Sequence, residues 1–403
     1  MSDDPFVLLE STIDQNGAEA AFDKLAGVLR EQKKYPQLFE ALLMKKRHEL
    51  GLPLQGTESI SDLPEEIQVE VETYYIEACR EVGGLFLEDK NISGAWPYFR
   101  AIDEPKKVAA ALDTWKIDPS TEDEDQLNQL DEIVEIALTQ GANPRRGYDL
   151  VLDNYGVCRA ITIFEHQFPY KGDVRESCGL MLIHRLYGDL VENVRSDVES
   201  RREAQGESKD VDLSNADVRT LIEGREWLFE GFGYHVDISH LQSVIRIGAT
   251  MKDKDGLEKA IQMAEYGRNL GRDFQHPDPA PFEDFYNDYR IFLRAVKGEG
   301  IDGAVRYFTQ KAERYTPDEE GRHFPGEVLV HLLDRLGRHD EAIEAFLKYL
   351  KDLSGPLSVS PELSALCDAS GDYTKLLETA KEKDDLLQFA AGLVSSRGVV
   401  SPD

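Results

Sequence analysis

The 403-residue chain carries 77 acidic against 46 basic side chains, a formal charge of −31 at pH 7. Nucleic acid and anionic membrane are therefore repelled, and a basic partner suits the chain better. Its 41% hydrophobic and 31% charged composition, with 17 Phe, 16 Tyr and 3 Trp, excludes general disorder, and its length exceeds one ordinary core and calls for several domains or a repeat array.

The N-terminal MSDDPFVLLESTIDQNG has no basic segment followed by an apolar one, and no run approaches about 18 apolar residues, so a cytoplasmic protein is expected. Apolar residues recur at helical spacing almost throughout, while strand-like alternation is hard to find, which predicts a mainly α chain. From Pro64 to Leu87 the stripe is Ile67, Val71, Tyr74, Tyr75, Ala78, Val82, Leu85 and Phe86. Between Glu122 and Leu138 it is Leu127, Leu130, Ile133, Val134 and Ala137, with Asp123, Glu124 and Asp125 placed to suit the helix dipole. Residues 61 to 140 hold 20 acidic and 6 basic side chains, which fits a solvated acidic face. Breaks are expected at GLPLQG (51–56), Asp118-Pro119, GANPRRG (141–147) and FPYKG (168–172), with a polar linker from Gln205 to Asn215 and an irregular, proline-rich segment from Phe274 to Asp288.

The segment LGRHDEAIEAFLKYL, 336 to 350, reads as the end of one helix, a tight turn and a second helix. Gly337 permits the reversal, Ala342 allows close approach, and Phe346 fills the groove one turn later. The Ala-x-x-x-Phe element recurs at Ala18 and Phe22, Ala95 and Phe99, and Ala304 and Phe308, each just after a glycine-containing turn. These features resemble the tetratricopeptide repeat. At family spacing Leu329 and Leu333 fall on the first helix of the last pair, with Val330 where the family has a small residue, whereas Val82, Gly83 and Phe86 keep the small position before Ala95. Weaker units lie at 251–267 and 370–380, the latter preceded by Leu363, Ser364 and Cys367. The copies are unevenly spaced, where a regular array repeats near 34 residues. HVDISHL, EYGRNL and PFEDFYNDY, between 227 and 315, are also similar to uncharacterised bacterial repeat proteins.

The resemblance implies an all-α fold, an irregular α-α superhelix of stacked helical hairpins. Three regions are expected: an acidic one with repeat-like pairs at 1–140, a central hairpin region at 141–235, and repeats at 236–403. The expected function is that of an interaction or scaffold protein holding a peptide or protein partner in a helical-repeat groove, with no cofactor. A structural subunit of a larger assembly is the third alternative, after the enzyme or sensor discussed next.

His235, Asp237 and His240 form an H-x-D-x-x-H string whose residue types can ligate a metal, as in a metal-dependent enzyme or sensor. Asp237 also stands where a helix N-cap belongs, with Ser239 competing. Glu165, His166 and His184 could join that string across a hairpin, though buried, hydrogen-bonded histidines are the stronger expectation. No phosphate loop, nucleophile elbow or dinucleotide-binding glycine motif is present. The four cysteines share no CxxC spacing, and Cys158 is expected to pack. For partner binding the choice falls on Phe274, Phe282, Phe285, Tyr286 and Tyr289 as exposed anchors beside Asp284, the alternative being that the loop folds back and buries them.

Overall fold

The computed structural model describes residues 4–54, 63–118, 123–205, 212–231, 233–315, 323–353 and 356–398. Among these residues the chain is all-α, with no strand, and consecutive helices pack as hairpins. It divides into two compact units, 1–156 and 157–403. Residue 141 lies inside the first unit and residue 236 inside the second. No described helix is long and apolar enough to cross a membrane.

The first unit comprises α1 (Pro5–Glu31), α2 (Tyr35–Glu49), α3 (Glu65–Glu88), α4 (Ile92–Ala101), α5 (Lys106–Thr114), α6 (Glu124–Val134) with a following π-helical turn (Glu135–Thr139), and the start of α7 (Pro144–His166). Its best-defined hairpin is α3 with α4. Asn91 caps α4 through the Gly94 N–H at 2.8 Å, and the apolar stripe of α3 turns Ala78 and Val82 into the core. The two helices meet through reciprocal glycine–phenylalanine contacts. A methyl on Gly83 would stand 2.8 Å from Phe99 Cε2, and one on Gly94 would stand 2.5 Å from Phe86 Cδ1. Phe99 and Ala95 are wholly buried, among Trp96, Val108, Leu112, Leu130 and Ile133.

One turn geometry closes several hairpins. The N–H of the third residue beyond the helix reaches the carbonyl five positions back: Lys34 to Leu29 at 2.9 Å, Asn91 to Phe86 at 2.8 Å, Arg338 to Leu333 at 2.9 Å and Asp385 to Ala380 at 2.8 Å. The residue just before the donor must adopt a left-handed conformation. Gly337 does so freely at φ 70°, whereas Lys33, Lys90 and Asp384 do so with side chains in place at φ 54°, 59° and 53°.

The second unit begins in the last part of α7 and continues with α8 (Gly172–Gln205), α9 (Val218–Ile222), α10 (Ile238–Thr250), α11 (Lys254–Gly267), α12 (Phe285–Lys297), α13 (Ile301–Glu313), α14 (Phe324–Arg335), α15 (His339–Tyr349), α16 (Leu363–Ser370), α17 (Thr374–Glu382) and α18 (Leu386–Ser396). The 34-residue α8 buries Leu182, Ile183, Leu186, Leu190 and Val194, and α9, α10 and α11 pack against it. From α10 onward each helix packs on the next, and the alternate helices α10, α12 and α14 touch in succession, so that one pair stacks on another. Ala304, Phe308, Ala342 and Phe346 are all buried. Val330, which replaces the small residue, is also fully buried. The close approach of α14 to α15 occurs one turn earlier, at Gly326, where an added methyl would stand 2.7 Å from Tyr349 Cβ.

Ala18 and Phe22 follow a break at Gly17 (φ 87°), where two helical stretches of α1 meet across a kink; both are half-buried, with Phe22 against His48 at a centroid distance of 5.9 Å. Two expectations need correction. Leu127 is 41% exposed because α6 begins to bury its stripe only at Leu130. Cys158 is exposed because α7 turns Ala160, Ile161, Ile163 and Phe164 inward instead. The breaks expected at Gln55-Gly56 and Pro119, and the linker residues 206–211, lie outside the described residues.

Neighbouring glycines in α3 give a test of the hairpin contact. Gly83→Ala presses a methyl onto a ring with no room to move and should lower unfolding free energy by about 1–3 kcal/mol. Gly84→Ala, whose new methyl meets nothing within 4 Å, should raise it by roughly 0.5–1 kcal/mol through helix propensity. Denaturant titration of both variants checks the opposite signs.

Candidate functional site

The aromatic segment lies in the core. Phe282, Phe285, Tyr286 and Tyr289 are 5%, 2%, 0% and 7% exposed, so the expectation that they stand out as anchors is corrected. Phe282 stacks on Tyr289 at 4.0 Å and meets Phe308 of α13 at 5.8 Å. Tyr286 lies against Gly267 of α11, where any side chain would collide with it. Phe274 is half-buried, edge-on to Tyr234 at 5.4 Å, and Asp284 is exposed at the start of α12.

Polar anchors explain why this loop folds back. Arg246 of α10 makes a two-pronged pair with Asp278, 2.7 Å at each oxygen. Lys311 of α13, nearly buried, donates to the Pro281 carbonyl at 2.6 Å, Glu283 at 2.8 Å and Asp288 at 2.7 Å. Asp288, fully buried, also accepts from the Tyr307 hydroxyl at 2.5 Å and the Asp284 N–H at 2.9 Å. Burial pushes the Asp288 carboxyl up and opposes the Lys311 ammonium, whose hydrogen bonds to Asp288 and Glu283 nevertheless raise it. The pair is charged, because each Lys311 donor meets an oxygen and Asp288 accepts three bonds.

His235, Asp237 and His240 do not converge. Asp237 is the N-cap of α10 and accepts the N–H groups of Ser239 at 2.8 Å and His240 at 3.1 Å. Both nitrogens of the buried His235 are engaged, Nδ1 with the Tyr266 hydroxyl at 2.8 Å and Nε2 with Asp197 at 3.2 Å. The Tyr266 oxygen accepts the His235 backbone N–H at 2.9 Å, so its own proton goes to Nδ1 and the Nε2 proton to Asp197. Burial lowers the His235 pKa more than Asp197 raises it. Among the described residues no group of three or more His, Cys, Asp or Glu is placed to hold a metal. Glu165 and His166 lie near each other, 4.0 Å apart, while His184 pairs separately with Asp255 at 2.9 Å; the two histidines are exposed, not buried as expected. The histidine that burial affects most is His331 of α14, which stacks on Phe292 at 6.1 Å and whose pKa burial, aided by Arg335, drives down to about 4.

A surface groove that the sequence did not single out lies over α14, between α13 and α15. Its floor is Leu329 and Leu333; Val305 and Thr309 line one wall, and Ala345 and Tyr349 the other, around a volume of about 450 Å³. Its two ends are spanned by ion pairs from α15 to α13, Arg338 to Asp302 at 3.0 Å and Lys348 to Glu313 at 3.1 Å. Between them, one helical turn apart on the same face of α15, Asp340 and Glu344 line the rim without an ion pair or hydrogen bond among the described residues. A second, almost wholly apolar groove in the first unit is lined by Leu9, Ile13, Ala21, Phe22, Leu25 and Leu54.

No protein-family model, curated protein or solved structure matches the chain.

Truncating core rings must be costly, so Phe282→Ala and Tyr286→Ala should each destabilise the protein by about 3–5 kcal/mol, seen as a large fall in the urea midpoint. His331 supplies a pH test. Its folded pKa lies below its unfolded value, so the unfolded chain takes up the proton first; stability is full above about pH 6.5 and is lost as pH falls toward about 4, by up to about 3 kcal/mol. Replacing it with the non-titrating ring of His331→Phe should flatten that part of the stability–pH curve, which urea titrations between pH 7 and 5 will show.

Proposed function

We propose that the chain is an interaction protein built of tetratricopeptide-like helix pairs, which holds a peptide or protein partner on the pairs formed by α12 to α15. The observation that supports this reading is the groove between α13 and α15. Stacking of α12 on α14 sets the two second helices side by side over α14, and the apolar trough between them is left open at the surface. A groove of this kind buries an inserted side chain without rearranging the helices, which lowers the ordering cost of association. That platform rests on aromatic and ionic contacts that tie the loop before α12 and α12 itself to α13.

Photo-crosslinking in the native cell tests the proposal. A photoreactive amino acid at Thr309, on the groove wall, should capture one reproducible protein in good yield. The same group at exposed Glu40 of α2 should not capture it. Identical weak background at both positions would remove the case for an interaction protein acting through this surface. A partner that remains stoichiometric through purification would mark the chain as a structural subunit.

A further inference from the structure

We infer that the α13–α15 groove takes a short partner segment in which an apolar side chain is flanked by lysine or arginine; this inference rests on the interaction reading above and specifies the partner's chemistry. Shape and charge lead to the same conclusion. The two bridging ion pairs set the length of the trough. From Arg338 to Lys348 is ten residues of helix, or about 15 Å, room for roughly four or five residues of extended chain at about 3.3 Å each. Within that length the walls offered by Val305, Thr309, Ala345 and Tyr349 are apolar or nearly so, and suit one or two aliphatic or aromatic side chains.

The charge argument concerns the rim. Lys348 is the one basic residue lining the groove, and it is turned away to Glu313 and lies over the Tyr349 ring at 4.8 Å. Glu341 is satisfied by Arg338 at 2.6 Å. Asp340 and Glu344 remain without an ion pair or hydrogen bond among the described residues, four positions apart on one helix face, where like charges repel. Glu344 also feels the ammonium of Lys375 in α17, which is itself paired with Glu378 at 3.1 Å. Asp340 is in the first turn of α15 and is eased by the helix dipole, but Glu344 lies beyond it. A lysine or arginine placed between these carboxylates removes the repulsion and gains two charge-assisted hydrogen bonds, while a neutral or acidic segment leaves them opposed. The net charge of −31 steers a basic segment toward the same surface.

Fluorescence anisotropy with three labelled hexapeptides tests this on the full chain: alternating lysine–leucine, alternating glutamate–leucine, and all-lysine. The lysine–leucine peptide should bind at least about tenfold more tightly than either of the others, and more weakly as salt rises. Asp340→Lys with Glu344→Lys, an exposed double change that leaves the fold intact, should weaken it by about tenfold or more, and Thr309→Trp, which fills the trough, by a similar factor. The inference is overturned if the lysine–leucine peptide fails to bind, if the all-lysine peptide binds equally well, or if the charge-reversed variant binds like wild type, since the apolar groove of the first unit or diffuse charge would then be responsible. If the Thr309 crosslink succeeds while the peptide result is negative, the interaction reading stands and only the partner chemistry is wrong.

Discussion

Close approach between paired helices is the constraint on which the rest of this structure depends, and it is met by placing glycine opposite a large ring. In α3 and α4 the arrangement is reciprocal, Gly83 beneath Phe99 and Gly94 beneath Phe86. A ring seated on a bare backbone brings two helices together and fills the resulting space at core density, where a methyl on either glycine would force them apart. The same solution recurs with different partners, Gly267 beneath Tyr286 and Gly326 beside Tyr349. The glycine and the ring that faces it occupy different turns in different pairs, so the pairs share this packing without sharing one sequence pattern.

That variation bears on what the sequence revealed. The helical class was legible because it rests on periodicity over many residues, and Ala95 with Phe99, Ala304 with Phe308 and Ala342 with Phe346 were legible as buried positions because residues one turn apart share a helix face. Ala18 and Phe22 carry the same signal just after the break at Gly17, where two helical stretches of α1 meet across a kink. Gly94 was missed because it gains meaning only from Phe86 on another helix.

Site residues were less legible, for a related reason. The segment 274–289 shows rings and carboxylates in one stretch, and their fate depends on two cations far along the chain, Arg246 and Lys311. Arg246 holds both oxygens of Asp278 and Lys311 gathers oxygens of Pro281, Glu283 and Asp288, which turns the rings inward. Without Lys311 the fully buried Asp288 would be a charge without a counter-ion, so the loop's conformation and the packing of Phe282 on Phe308 stand or fall together. His235 follows the same logic, since its partners Asp197 and Tyr266 come from α8 and α11 and occupy the nitrogens a metal would need.

The groove between α13 and α15 is a by-product of this packing as well as a candidate surface. When α12 and α14 touch through their first-helix faces, their partners α13 and α15 are carried to either side of α14, and the gap between them must be filled, bridged or left open. Arg338 and Lys348 bridge its ends, but exposed ion pairs of this sort contribute little stability. Along the open middle Asp340 and Glu344 hold no ion pair or hydrogen bond among the described residues, although Glu344 feels the ammonium of Lys375 in α17. Carboxylates so placed attract a cation and disfavour a neutral or acidic segment, which is the selectivity that the proposed partner chemistry requires.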